Sequence, residues 1–393
     1  MSPFLPPIRL TGAEILIDGR LERRALSLAE GRIVDAALPQ VDLSGYLLLP
    51  GIIDLHGDGF ERHIFPRPSA PFPIRSGLIG TDREAAANGV TTAFLAQSWS
   101  WEGGARSPDQ AEALLAEVQA YRDHALVDLR VQLRAETHMV AEVDRLAAAV
   151  KRFGVGYVIF NDHLGEGFLM RRRDPARFGH WAAKIGLGAD DLLARMEAAR
   201  ARAREVPRAL CQLAAEFDRL GVVYGSHDDP DAETREFYSM IGARVAEFPT
   251  RRRAAAAARA VDDPVLMGAP NVVRGGSQAG NIGAEELIRE GLCDALVSDY
   301  HIPALAMAAW SLADRGVLSF ARAWALVSET PAAILRLADR GRLVPGLRAD
   351  LVAVNKETRM VELTISGGRL AYAAGVAARR LMAEPQVARL AAE

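Results

Sequence analysis

The sequence predicts an α/β fold: a TIM-like (β/α)8 barrel with a small β-sandwich domain built from both chain termini. Between residues 51 and 340, short apolar runs typical of buried strands alternate with longer stretches rich in Ala, Leu, Glu and Arg. Near both ends the pattern changes to short strands separated by turn residues. We therefore expect a discontinuous sandwich of residues 1–50 and 341–375, a (β/α)8 barrel of residues 51–340, and a helical tail of residues 376–393.

The terminal segments predict the sandwich because their apolar runs are short and are interrupted by Asp-Gly, Glu-Gly and Gly-Gly turns. Strands are expected over residues 8–10, 13–16, 25–28, 32–37, 46–49, 349–355 and 361–365.

The central segment predicts eight barrel strands, most of them followed by a helix. The strands are expected over residues 51–55, 91–96, 128–136, 156–161, 222–226, 244–248, 264–268 and 295–298. The clearest helical stretches are residues 107–124, 140–153, 189–221 and 284–290. In such a barrel the chemistry lies at the carboxyl ends of the strands.

Composition excludes several classes of protein. The chain of 393 residues has a formal net charge of −3, which gives no global attraction to nucleic acid or to an anionic membrane. No export signal and no long apolar span are evident, so we expect a cytoplasmic protein. Cys211 and Cys293 have no metal-type spacing, and we expect both to be buried and reduced.

Histidine and carboxylate side chains collect at the expected strand ends. Alternation along an extended chain places His56 and Asp58 on the same side of the first strand. Other strand ends carry Glu136 with His138, His163, His227, Glu247 and Asp299 with His301. This mixture of ligands suits zinc or another divalent first-row metal. Taken one at a time, each residue has a structural alternative, as a hydrogen-bonded core histidine or a capping carboxylate.

Two loops could recognise an anion. The loop after the first strand carries Arg62, His63 and Arg67, and the loop after the seventh carries Arg274 followed by residues 275–277. Arginines and the backbone amides of a glycine-rich loop both bind phosphate. Solvated structural arginines are the alternative. The residues available to contact a charged ligand are Arg62, His63, Arg67, Arg274, Gly275, Gly276 and Ser277, and the family resemblance described next implies a substrate-binding role for them.

The strand-end pattern and the closing segment Gly341–Val352 resemble the amidohydrolase superfamily. More narrowly, the segments 54–68, 226–229, 246–250, 267–277 and 298–300 are similar to the diphosphatases of the carbon-phosphorus lyase pathway. Three loops depart from that narrower pattern: Gly59 stands where the family has Asn, and residues 69–74 and 164–168 differ.

The resemblance implies two divalent ions, with zinc first and manganese or iron as alternatives. It assigns His56 and Asp58 to one ion, His163 and His227 to the other, and Asp299 as ligand and proton carrier. The superfamily bridges its metals with a carboxylated lysine or a glutamate, and none of the three lysines lies at an expected strand end. The bridge is therefore expected to be Glu136, with Glu247 as the alternative.

The resemblance also implies a reaction. These diphosphatases hydrolyse α-D-ribose 1-methylphosphonate 5-triphosphate, a small phosphorylated sugar, to the 5-phosphate and pyrophosphate. The departing loops keep two alternatives open, namely hydrolysis of a small N-acyl or cyclic amide and a catalytically silent metal-binding scaffold. The helical tail is expected to pack on the barrel or on a neighbouring subunit of a homo-oligomer.

Overall fold

The computed structural model describes residues 3–67 and 70–383. The last ten residues of the expected tail therefore lie outside the described residues, as do Pro68 and Ser69 in the loop after the first barrel strand.

The N-terminal segment forms seven short strands. They are β1 Ile8–Thr11, β2 Glu14–Ile17, β3 Arg20–Arg23, β4 Leu26–Ala29, β5 Arg32–Val34, β6 Gln40–Asp42 and β7 Tyr46–Pro50. Strands β5, β4, β1 and β6 form one sheet in that order. Asp18 and Gly19, both with positive φ, form the two-residue turn between β2 and β3. The sequence did not predict β3, whose residues are all exposed, or β6.

Eight parallel strands then form the barrel. They are β8 Ile52–Gly57, β9 Val90–Trp99, β10 Asp128–Glu136, β11 Tyr157–Asn161, β12 Val223–His227, β13 Val245–Glu247, β14 Val265–Gly268 and β15 Ala295–Val297. Each strand pairs with the next one, and a bridge between Gly57 and Asp299 connects the first strand to the end of the last. Side chains such as Ile53, Phe94 and Tyr157 fill the interior. The expected (β/α)8 barrel is confirmed.

Both termini contribute to one further sheet. The last strands are β16 Leu351–Asn355, β17 Val361–Ser366 and β18 Arg369–Ala373. They extend a six-stranded sheet in the order β18, β17, β16, β7, β2 and β3, in which β16 runs antiparallel to β7. A separate apolar core that includes Leu10, Leu48 and Leu351 lies in this part of the protein. The sandwich built from both termini is confirmed, although β18 was not predicted.

Sixteen α-helices occur among the described residues. They are α1 Glu61–Ile64, α2 Ile74–Ala87, α3 Pro108–Tyr121, α4 Val143–Phe153, α5 Leu164–Arg173, α6 Pro175–Lys184, α7 Ala189–Ala201, α8 Val206–Leu220, α9 Ala232–Met240, α10 Arg252–Ala260, α11 Ala269–Arg274, α12 Ala284–Arg289, α13 Ala304–Asp314, α14 Phe320–Ala325, α15 Glu329–Ile334 and α16 Gly375–Met382.

Local signals explain several helix ends. The side chain of Ser107 caps α3, with its Oγ 3.1 Å from the amide N of Gln110. Gly154 and Gly221 adopt the left-handed conformation that ends α4 and α8. The expected helix over residues 189–221 is interrupted between α7 and α8.

Among the described residues, no helix is long and apolar enough to cross a membrane. Both cysteines are free, but Cys211 is exposed on α8, so the expectation that both are buried is wrong for that residue.

Candidate metal centre

A pocket of about 220 Å³ opens at the carboxyl ends of the barrel strands. Its wall includes His56, Asp58, His227 and Asp299, four of the residues that the sequence predicted as metal ligands. These side chains belong to the first, fifth and eighth strands and the turns that follow them, so the barrel closure brings them together.

The ends of β8 and β15 are joined by backbone hydrogen bonds. The amide N of Asp299 lies 2.9 Å from the carbonyl O of His56, and the amide N of Asp58 lies 2.8 Å from the carbonyl O of Asp299. Beneath them, the hydroxyl of Ser298 donates to the buried carboxylate of Asp54 over 2.6 Å. These contacts hold the two strand ends together, and the carboxyl groups of Asp58 and Asp299 are close enough for their charges to interact.

His56, His227 and Glu247 form a compact donor cluster. One possible ligand atom from each residue lies within 4.8 Å of the others. Nδ1 of His56 is 2.8 Å from Oε2 of Glu247, and both side chains are enclosed. Gln132 and the hydroxyl of Tyr157 each donate to Oε1 of Glu247 over 2.6 Å.

These contacts decide the charge of Glu247. Burial alone would raise the pKa of its carboxyl group, but the charge and hydrogen bond of His56 outweigh burial and lower that pKa. The carboxylate is therefore held in its ionised, metal-binding form.

Glu136 makes a different pair. Its Oε1 contacts Nδ1 of His163, and its Oε2 accepts a hydrogen bond from the indole of Trp101 over 3.2 Å. Burial raises the pKa of Glu136, but the charge and hydrogen bonds of His163 produce a net lowering. The structure thus places Glu136 with His163, and Glu247 with His56 and His227.

Arg134 also lies in the pocket, although the pattern of strand ends did not indicate it. Its Nη1 is 3.9 Å from Oδ2 of Asp58, and its Nη2 is 3.5 Å from Nε2 of His227. The side chain is 10% exposed. Since Arg134 precedes Glu136 by two residues on β10, strand alternation was the signal that could have identified it.

The surroundings of Asp299 shift the pKa of its carboxyl group. Burial, followed by the charge of Asp58, raises its pKa to about 6, against the opposing effect of His56 and Arg134. Asp299 and Phe248, which line the pocket, both have φ in the left-handed region, at 54° and 51°. Non-glycine residues in that region cluster at functional sites.

The expected anion-binding residues divide into two groups. Arg274, Gly276 and Ser277 line the pocket, and Nη1 of Arg274 lies 3.1 Å from the hydroxyl of Tyr300. Gly275 ends α11 at a φ of 80° and does not line the pocket.

The loop after β8 is turned toward α2. Arg62 and His63 both contact the carboxylate of Glu84, with Nε2 of His63 2.9 Å from Oε2. Arg67 is exposed, and none of these three residues lines the pocket. A Cβ atom at Gly59 would lie 3.1 Å from the carbonyl O of Tyr300, so the close approach of these backbones favours glycine there.

The donor set fits a divalent metal. Imidazole and carboxylate groups are the usual ligands of zinc and related ions, with ligand bonds of about 2 Å. The spacing of His56, His227 and Glu247 allows all three to bind one ion. His163 with Glu136, and Asp58 with Asp299, supply further donors at the same end of the barrel.

The chain is similar to proteins of known sequence and structure. No family model matches it. It is 32% identical over 355 residues to the alpha-D-ribose 1-methylphosphonate 5-triphosphate diphosphatase of Escherichia coli (strain K12), covering 87% of this chain and 91% of that protein.

Solved structures share the fold. A dihydropyrimidinase from Brevibacillus agri superimposes with a TM-score of 0.62 at 11% identity, covering 94% of this chain and 95% of the other. An N-acetylglucosamine-6-phosphate deacetylase from Pasteurella multocida gives 0.60 at 11% identity, covering 93% and 99%. At these identities the likeness concerns the fold alone.

Proposed function

The chain belongs to the family of α-D-ribose 1-methylphosphonate 5-triphosphate diphosphatases within the amidohydrolase superfamily, and on that premise we propose that it hydrolyses a ribosyl 5-triphosphate and releases pyrophosphate. The observation that carries the proposal is the combination of metal-type donors with two arginines, Arg134 and Arg274, in one pocket. A triphosphate needs both kinds of group, because metal ions and guanidinium groups each neutralise phosphate oxygens.

We assign the metal ligands as follows. His56, His227 and Glu247 hold one ion, since their donor atoms already converge. His163 and Glu136 contribute to a second, and Asp58 and Asp299 complete the donor set. A divalent ion bound there would supply Lewis acidity and would lower the pKa of a water molecule toward neutrality.

Asp299 is the proposed proton carrier. Burial and the charge of Asp58 raise the pKa of its carboxyl group to about 6, which supports Asp299 as the group that takes up a proton in this pocket. It accepts the proton of the attacking water and returns it to the leaving oxygen as the bond between phosphorus and the pyrophosphate oxygen breaks.

Arg134 and Arg274 bind the phosphate chain from different positions. Arg134 projects from β10 beside Asp58, where charge on the reacting phosphoryl group develops. Arg274 lies at the end of α11 with Gly276 and Ser277 in the adjoining loop, where it binds the outer phosphates. Both arginines favour a phosphorylated substrate over a neutral amide.

The test is direct measurement of products. The purified, metal-loaded chain is incubated with α-D-ribose 1-methylphosphonate 5-triphosphate, and pyrophosphate is quantified with Asp299→Asn as the inactive control. We expect pyrophosphate in equal amount to the 5-phosphate. No release from this substrate, together with turnover of N-acyl or cyclic amides, would replace the proposal with amide hydrolysis. No turnover of either class would favour the silent scaffold.

A further inference from the structure

A second cavity, larger than the metal pocket, lies at the opposite end of the barrel. Its volume is about 720 Å³, and its wall includes the starts of β10 and β12, the ends of α3 and α4, and residues 335–337. We call it the arginine crevice, because six arginines line it: Arg122, Arg130, Arg336, Arg340, Arg348 and Arg369. The metal centre lies at the other ends of the same strands, so the crevice is a separate site.

Three of these arginines are matched by carboxylates. Arg130, Arg340 and Arg348 converge on Oδ2 of Asp128 at 2.9, 2.7 and 3.5 Å. Asp339 also pairs with Arg340 over 2.8 Å, and Asp350 pairs with Arg348 over 3.0 Å. Three carboxylates therefore neutralise three guanidinium groups. This ion-pair network has a structural role at the floor of the crevice.

Two of the remaining arginines, Arg122 and Arg336, give the crevice excess positive charge. Within residues 3–67 and 70–383, neither Arg122 nor Arg336 has a carboxylate within ion-pair distance. Arg369 lies over the ring of Phe4, at 4.3 Å from the ring centroid. The whole chain has a formal net charge of −3, so this local excess is not a consequence of overall composition.

Arg336 occupies an unusual backbone position. Its φ is 55°, and it follows the last residues of α15 at a place where helices usually have glycine. An arginine there costs backbone strain that a glycine would avoid. Non-glycine residues that keep such a conformation recur at ligand-binding sites.

The wall also contains apolar surface. Leu115, Val118, Phe153 and Leu337 line the crevice beside the arginines. Its volume lies in the range of small-molecule sites, which is several hundred Å³. Arginines recognise phosphate oxygens through paired N–H donors, and apolar walls accommodate an organic group attached to the phosphate.

We propose that the arginine crevice binds a small phosphate-bearing anion through Arg122 and Arg336, at a site distinct from the metal centre. The proposal does not depend on the reaction at the metal centre, because none of the crevice residues lines that pocket. Ligand bound here would contact β10 and β12 at their starts, and these strands carry Arg134 and His227 at their other ends.

The test uses inorganic phosphate as the probe and the full, metal-loaded chain. The double variant Arg122→Gln and Arg336→Gly removes both unmatched charges, and glycine at position 336 should not lower Tm because it suits the positive φ. Arg208→Gln, an exposed arginine on α8, is the matched control. We expect phosphate affinity to fall at least about fivefold in the double variant and to stay unchanged in the control.

A second readout locates the phosphate. Phenylglyoxal modifies accessible arginines, and peptide mass mapping should show that phosphate protects Arg122 and Arg336. The proposal would be overturned if the double variant bound phosphate with the same affinity as the chain without substitutions. Protection confined to Arg134 and Arg274 would also overturn it, since that result would place the bound phosphate at the metal centre alone.

Discussion

Glu247 Oε2 lies 2.8 Å from His56 Nδ1 in a part of the barrel where both side chains are enclosed. The two residues are 191 positions apart in the sequence and come from the sixth and first barrel strands. Tyr157 and Gln132 hold the other oxygen of Glu247, so the carboxylate is fixed before any ion binds. A preorganised ligand of this kind should matter strongly for metal affinity.

Glu247→Gln should therefore lower metal affinity by about tenfold or more, because the change removes the negative charge while keeping the shape. The measurement is metal content after dialysis against a graded chelator, by mass spectrometry. Glu136→Gln is the matched variant, and it should keep the ion at His56 and His227. If Glu136→Gln loses all metal while Glu247→Gln retains it, then Glu136 is the bridging ligand.

The raised pKa of Asp299 predicts how the stability of the chain depends on pH when no metal is added. Its folded pKa of about 6 is above the unfolded value of 3.8, so its contribution to stability is full below about pH 4 and is lost as pH rises through 6. The loss is up to about 3 kcal/mol, from about two pKa units.

The substitution Asp299→Asn should remove this loss of stability at higher pH. Without metal, the variant should therefore be more stable than the unchanged chain at pH 7.5 and equally stable near pH 4, as measured by thermal unfolding. Adding metal at pH 7.5 should stabilise the unchanged chain more than the variant, since the variant lacks a ligand. A stability difference that does not vary with pH would contradict the assignment of this proton to Asp299.

Arg134 should act on the reaction and not on metal binding. Arg134→Gln removes the guanidinium that lies beside Asp58 and His227, and kcat/KM for the triphosphate should fall about 100-fold. Metal content should stay the same. Arg134→Lys, which keeps the charge, should restore part of the activity, whereas a purely structural role would give the two variants equal losses.

Whether the sequence predicted a structural feature depends on which forces determine that feature. Barrel strands such as β14, expected over residues 264–268 and observed at Val265–Gly268, were predicted because strands buried on both faces read as apolar runs. β3 was missed because all four of its residues are exposed, and its pairing with β2 depends on the turn at Asp18 and Gly19.

The sequence predicted which strand ends contribute to the site, but not which side chains contact each other there. Parallel strands bring His56, His227 and Asp299 to one end, which the sequence pattern alone establishes. Which glutamate meets which histidine depends on side-chain directions across the barrel. The same holds for Arg62, whose direction is decided by Glu84 on α2, an interaction without a local sequence signal.

The lowered pKa of Asp128 predicts how the stability of the chain changes in acid. Burial raises its pKa, but the hydrogen bond from Arg130 and the charges of Arg130, Arg340 and Arg348 outweigh burial and lower the pKa from 3.8 to about 2. A lowered pKa contributes stability that is present above about pH 4 and is lost as pH falls toward 2.

Asp128→Asn should therefore reduce the free energy of unfolding at pH 7 by up to about 2 kcal/mol, and the difference from the unchanged chain should shrink as pH falls below 4. Thermal unfolding over pH 2.5 to 7 measures both quantities. Asp218→Asn, whose carboxylate accepts a hydrogen bond from Tyr224 on the outside of the same barrel end, is the control without three arginines around it. A stability loss in Asp128→Asn that persists unchanged at pH 2.5 would show that packing, and not the arginine charges, stabilises this end of the barrel.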